Sequence, residues 1–446
     1  MFKKYLALAL VLSLIVVAYL FTEVWRGYQL LTTPEKQWTF MVYMAADNDI
    51  DLGVFGGSYG IKAFKDFNEM ETVGSTSDVA VVVQIDGLNS SGRRYLVAKD
   101  NDENTMGSPM LQDLGEVNMG DPATLVDFVM WATTNFPAPN YCVILWDHGL
   151  GFQGVCKDWN GVSLPPEPIE NLTIAELESA LSTIANEVGK PIDLIGFDAC
   201  LMQMIEVAYQ IRNYSAVMVG SEETIPEDGW PYRYVLQNLT NNPNMEAAEL
   251  ARKIVETYKD YYINHTVIRD NVLLVPTTRL TLSAINLSQV DALTIALNNL
   301  SSSLIANYSV FRDELMTCRN LTQEFKTGEL QWCYVDLYNF TSLIYFNDNI
   351  TNPDVKINAR NLLEVINRTV ILEWHDSGRY EHLRYLPRGR KVTWHPGCPG
   401  SYGLSIYFPK NAHQYYSSYD QLDISTKSHF YWNDFLKVYL EIENFT

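Results

Sequence analysis

Four stretches of the chain are apolar almost from end to end: Trp38–Ala45 (WTFMVYMA), Val79–Ile85 (VAVVVQI), Tyr141–Trp146 (YCVILW) and Ile192–Phe197 (IDLIGF). They are rich in β-branched and aromatic residues and do not alternate with polar ones. That pattern belongs to strands covered on both faces, as in a parallel sheet flanked by helices. Helical patterns separate them over Val54–Glu71, Pro122–Asn135 and Ile174–Val188. The last carries its own boundary signals: Thr173 as N-cap, Glu176 three residues on as capping-box partner, and Gly189 with Pro191 at the close. Repeated β-α units predict an α/β sandwich with a mostly parallel sheet and right-handed crossovers. After about residue 270 helical stretches dominate, at Ser288–Ile305 and Ala359–Glu373, with strand candidates at Val272–Pro276 and Tyr402–Phe408. The expected division is an N-terminal segment over residues 1–29, a core over 36–270, and a mainly helical region over 271–446 able to return one strand to the sheet.

In open α/β sheets chemistry collects at the carboxyl ends of the strands. Here the four runs end in AADND, IDG, WDHG and FDAC. His148 follows one buried strand and Cys200 another. If those strands are neighbours, an imidazole and a thiol share a crevice, the minimum for a cysteine nucleophile with a histidine acid/base. A helical pattern begins at Cys200 (CLMQMIEVAYQ), and a helix N-terminus there would favour the thiolate. Gly149 leaves its N–H unobstructed, so the amides of Gly149 and Cys200 would form an oxyanion hole. Against this stands the ordinary reading, in which a cysteine at a strand end is a small core hydrophobe.

The successive blocks WTFMVYMAADNDID, VVVQIDG, GEVNMGDPATLVDFVMWA, CVILWDHGLGFQGV, IDLIGFDACLMQMIEVAYQ and VMVGSEETIPEDGWPY resemble, in order, those of clostripain-type cysteine peptidases. CYVDLYNF and GLSIYFP resemble that family's C-terminal part. The resemblance implies a caspase-like αβα sandwich, with His148 and Cys200 as the catalytic pair. It also implies cleavage after Arg or Lys in polypeptide substrates, with Asp198 and Asp228 in the S1 pocket. Asp198 has a competing role, holding the backbone turn at the strand end. Relatives are often processed between the histidine and cysteine blocks, where the basic residues are Lys157 and Lys190. Lys190 precedes Pro191 and a buried strand, so Lys157 is the expected processing site. Some relatives need Ca2+. Asp47-Asn48-Asp49-Ile50-Asp51 alternates carboxylates but has Leu52 and Ser58 where a calcium loop of the EF-hand type needs glycine and glutamate. It reads better as a helix cap facing the rim, and no metal ligand is assigned.

Location is read from the N-terminus. Lys3 and Lys4 precede the apolar run Tyr5–Phe21, which reads as an uncleaved anchor with the rest of the chain outside, or as an export signal. Thirteen Asn-x-Ser/Thr sequons between Asn89 and Asn444 fit a glycosylated outer-surface or secreted protein. They also fit an alternative in which the chain is a catalytically inactive surface glycoprotein using a peptidase fold for binding. The net charge of −21 argues against a nucleic-acid surface, and a monomer is expected. Six cysteines without a CxxC pair argue against a zinc ribbon. Cys318 and Cys333 are the pair best placed by proximity for a disulfide.

Overall fold

A computed structural model describes residues 36–52, 61–88, 90–160, 170–264, 267–269, 272–274, 279–325, 333–386, 389–395, 397–426 and 430–442. The expected anchor Tyr5–Phe21 and the first part of the helix expected from Val54 lie outside these residues. Among the described residues no helix is long and apolar enough to cross a membrane.

The centre is a sheet of nine strands: β1 Trp38–Ala46, β2 Val79–Gly87, β3 Ser90–Leu96, β4 Met110–Gly115, β5 Asn140–Trp146, β6 Ile192–Asp198, β7 Ser215–Gly220, β8 Thr281–Asn286 and β9 Val370–His375. Across the sheet they run β9-β8-β7-β6-β5-β1-β2-β3-β4. The five strands from β2 to β7 in the middle are parallel, and antiparallel strands close both sides. The chain steps from β1 outward to β2 and then returns past β1 to β5. The crevice between β1 and β5 is therefore a topological switch point.

The apolar runs are continuous because each face has its own core. In β1, Met41, Tyr43 and Ala45 enter one cluster, and Phe40, Val42 and Met44 the other. The first cluster is capped by helices Pro122–Asn135 and Ile174–Val188. Asp121 starts the former by accepting the Ala123 N–H at 2.8 Å. The latter has the full Thr173/Glu176 capping box and stops at Gly189 with φ 82°. Its Leu177, Ala180, Leu181 and Ile184 recur at helical spacing and are all buried. Leu177, Leu181 and Ile184 each contribute roughly 1.5–3 kcal/mol when removed from water. Helices Ile61–Glu71, Tyr232–Asn241 and Ala247–Asn264 cover the opposite face through Phe67, Leu236 and Ile254.

The C-terminal region does more than pack on this sheet. It supplies β8 and β9, and strand Ser405–Tyr407 bridges to Met204 in the loop after β6. Val370–His375 is an edge strand, where the sequence pattern predicts a continuing helix. The helix itself spans Pro353–Thr369, and the apolar VILEW that follows pairs with β8. No disulfide joins Cys318 and Cys333; Cys318 instead meets Asn347 Nδ2 at 3.7 Å.

Candidate active site

Strands β5 and β6 are parallel neighbours, with Trp146 opposite Asp198. His148 and Cys200 each stand two residues beyond that matched pair. Both line one cavity of about 120 Å³, together with Asp198, Ile225 and Gly229. Gly149 explains how the two loops approach so closely. A Cβ there would stand 2.1 Å from the Cys200 carbonyl oxygen and 3.0 Å from its nitrogen. Among the described residues, neither the Gly149 N–H nor the Cys200 N–H has an acceptor.

Cys200 does not open a helix. It sits in a turn whose next residue, Leu201, has φ 66°, and the helix begins only at Ile205. The turn is pinned from the β7–β8 connection: Leu201 N–H donates to the Glu223 carbonyl at 3.2 Å, and Ile225 N–H to Sγ at 3.3 Å. Glu223 is itself held by Arg279 at 2.7 Å. Burial pushes the Cys200 thiol up to about 11, against the small opposing pull of the Ile225 amide. The expected lowering by a helix terminus is overturned for a plain reason: no terminus is there, and desolvation dominates.

The imidazole has a partner the sequence reading passed over. His148 Nε2 lies 3.0 Å from Asp49 Oδ1. Burial alone would lower the histidine pKa; the Asp49 hydrogen bond and the charges of Asp147 and Asp49 outweigh it and leave the pKa raised. Asp49 is lowered, chiefly by the same hydrogen bond. Asn48, one residue earlier, is the helix cap, accepting the Ile50 N–H at 3.0 Å. Its Nδ2 donates to Asp147 Oδ1 at 2.8 Å and to the Lys157 carbonyl at 3.1 Å. Asp147 also accepts the Lys157 N–H, and burial pushes its carboxyl up to about 7. The signal available for Asp49 was its position, just past a strand that proves to be the neighbour of β5.

Asp198 forms the inner wall. Its Oδ2 accepts the Trp230 N–H and the Tyr232 hydroxyl, each at 3.0 Å, and burial still pushes it to about 7. Behind it lies Asp66, bonded to Trp146 Nε1 at 2.7 Å and raised well above the usual carboxylate range by burial and by Asp198. Both carboxylates converge on Gly229, where a Cβ would stand 2.9 Å from Asp198 Oδ2 and 3.0 Å from Asp66 Oδ2. Gly229 has φ 58°, so its lack of a side chain serves both conformation and space. Asp66 comes from a helix far away in sequence, and nothing in its local pattern marked it.

The remaining two residues are placed differently from their expected roles. Asp228 does not line the cavity; it pairs with Lys62 and Lys65, each at 3.2 Å, which outweigh burial and lower its pKa. Lys157 lies in strand Val155–Asp158, paired with Glu170–Leu172, with both its N–H and its carbonyl engaged. Cleavage after Lys157 requires that strand to come away.

A profile described as the Clostripain family matches residues 42–439. Clostripain of Hathewaya histolytica is 23% identical over 434 residues, covering 85% of this chain and 76% of that protein. The fold is also similar to a secreted C11 cysteine protease from Bacteroides thetaiotaomicron in complex with an irreversible peptide inhibitor. That match has a TM-score of 0.63 and 22% identity, covering 89% of this chain and 99% of that one. An inactive zymogen C11 protease from Parabacteroides distasonis matches with a TM-score of 0.61 and 19% identity, over 87% of this chain and 97% of that one. The chain belongs to the clostripain family. It is a cysteine peptidase with the caspase-like fold of that family.

Proposed function

We propose that the chain is an extracytoplasmic endopeptidase that cleaves after Arg or Lys, with Cys200 as nucleophile and His148 as acid/base. One observation carries this reading: two adjacent strands deliver an imidazole and a thiol to one cavity whose inner wall holds a buried carboxylate. Neutral His148 takes the thiol proton as sulfur bonds to the scissile carbonyl carbon. The carbonyl oxygen, now negative, is met by the amides of Gly149 and Cys200. His148 then gives its proton to the leaving amine as the C–N bond breaks, and later takes one from water to release the acyl group. With the resting thiol at about 11, the thiolate forms during attack rather than standing ready.

The cationic side chain of the substrate is assigned to Asp198. A buried carboxylate with Asp66 behind it and, among the described residues, no cation beside it gains most from a guanidinium or ammonium partner. Asp228 is already neutralised by two lysines, which makes it an outer support for the wall rather than its floor. The secreted relative, the apolar run Tyr5–Phe21 and the sequons support a place outside the cytoplasm.

The test is an irreversible peptidyl ketone with Arg or Lys at its reactive end, followed by peptide mapping. The mass should fall on Cys200, be blocked by an Arg peptide, and vanish in Cys200→Ala. A label on another residue sinks the nucleophile. Equal labelling by a Leu-ended ketone leaves the nucleophile standing and sinks the Arg/Lys preference.

A further inference from the structure

The turn that carries Cys200 is held by the three residues after β7. The Gln203 N–H donates to the Ser221 carbonyl at 3.0 Å and the Leu201 N–H to the Glu223 carbonyl at 3.2 Å, one on each side of Glu222. From β8, Thr281 Oγ1 accepts the Glu222 and Glu223 N–H groups at 3.0 and 3.1 Å. From the C-terminal region, the Ser401 hydroxyl and the Gly403 N–H both donate to Glu222 Oε2, the latter at 3.1 Å.

Glu222 is 1% exposed and Asp336 0%, and their carboxyl groups lie within hydrogen-bonding reach of each other. Asp336 caps helix Leu337–Phe346; its Oδ1 accepts the Asn339 N–H and its Oδ2 the Tyr402 N–H, each at 2.6 Å. Glu222 Oε1 is buried and has no hydrogen-bond partner among the described residues. Of the four oxygens it is the one left to carry a proton. Around the pair stand Glu373, His375 and Asp376 at the end of β9, Tyr338 and Tyr402, and Cys398 with Glu223 and Arg279. The cationic groups among these are engaged elsewhere: Arg279 with Glu223 at 2.7 Å and His375 with Glu373 at 3.0 Å.

We propose that Glu222 is a positioning residue for the Cys200 nucleophile, tying the cysteine turn to the C-terminal region by donating one proton to Asp336. The proposal rests on the reading of Cys200 as nucleophile. Burial raises both carboxyls, and the Asn339 and Tyr402 amides help to hold Asp336 the lower of the two, at about 7. Glu222, raised by burial and then by the Asp336 charge, keeps the proton. Its folded pKa lies above its unfolded one, so the stabilisation is complete at acid pH and is lost as pH rises through the raised value. What remains is two buried carboxylates side by side, and their repulsion acts on the segment that sets the sulfur.

The test follows thermal melting of the full chain as Cys200→Ala, alone and with Glu222→Gln or Asp336→Asn, from about pH 5 to about pH 10. Glutamine copies protonated Glu222, since its amide N–H replaces the shared proton and its carbonyl still accepts from Ser401 and Gly403. Glu222→Gln should melt level with the parent at the acid end and a few degrees above it at the alkaline end. The other buried acids are common to both, so the difference isolates this pair. Asparagine at 336 has one side-chain oxygen for two N–H donors, so Asp336→Asn should melt below the parent throughout. A gap between Glu222→Gln and the parent that stays constant with pH overturns the shared proton. An undiminished melting point in Asp336→Asn overturns its placement on Glu222.

Positioning is read with Cys200 intact, from labelling by an Arg-ended peptidyl ketone. The maximal labelling rate of Glu222→Gln relative to the parent should grow with pH, reaching roughly threefold or more, with the ketone concentration for half-maximal rate unchanged. A ratio flat with pH while the melting curves diverge makes the pair purely structural and overturns the positioning role. A label away from Cys200 sinks the nucleophile instead and leaves the melting result standing.

Discussion

At the β5–β6 end of the rim each carboxylate is met by a donor. Asp198 has Trp230 and Tyr232, Asp147 has Asn48 and Lys157, and Asp49 has His148. At the β2 end Asp86 is as deeply buried, and among the described residues neither of its oxygens makes a hydrogen bond. The difference separates two uses of buried negative charge. Donors arranged around an acid fix it in place and make it part of the scaffold. An acid with no donor has its position set by packing alone, and burial pushes it towards its neutral form, up to about 9 for Asp86. Asp198 falls between the two, because two donors fill one of its oxygens while its pKa stays near 7.

The largest effect should come from the pair on the matched strands. His148→Ala should lower kcat by about 10²–10⁴-fold, with the protein still folded by circular dichroism. A smaller loss would mean that another group carries the proton. Asp198→Asn should follow, lowering kcat/KM for an Arg reporter by roughly 10²-fold or more, since one partner of a buried charge pair is lost. If KM and kcat are both unchanged, Asp198 belongs wholly with the scaffold acids.

The pH profile sharpens the same division. Asp198 must be ionised to hold a cation, and its carboxyl sits near 7. Below that pH it gains a proton, so kcat/KM for Arg substrates should fall about tenfold per unit, and Asp198→Asn should remove this limb. Asp49→Asn acts on a different group. It takes away the hydrogen bond that raises His148, so the limb belonging to the imidazole should move to lower pH. A limb that stays in place would show that Asp49 does not tune the histidine. Gly149→Ala should cost about 1–3 kcal/mol of stability, read by denaturant melting, because its Cβ meets backbone rather than a movable side chain. The smallest expected effect is at Lys157. N-terminal sequencing of active protein should find the bond after it intact, since the strand holding it stays paired.

The central strands were legible because double-sided burial writes itself as unbroken apolar sequence; Pro122–Asn135 and Ile174–Val188 were legible from their caps and periodicity. Edge strands leave no such mark. β3 reads SSGRRYL and β4 MLQDLG, and β9 follows a helix so directly that its apolar residues seemed to extend it. The site divides in the same way. His148 and Cys200 end legible strands and could be found by position. Asp66 and Asp49 act through contacts across the fold, which local pattern does not encode. The state of the thiol depends on how deeply its turn is buried, a property of the finished packing.

The route of the chain through the sheet decides how this protein can be dissected. A recombinant fragment stopping near residue 270 would keep the residues proposed for catalysis, yet it would strip β8 from β7 and leave that strand's outer edge unpaired. It would also remove Ser405, whose N–H caps the Gln203 carbonyl at 2.9 Å, three residues past the sulfur. Such a fragment should clump rather than fold, so shortened versions have to be trimmed from surface loops and not from the C-terminal end.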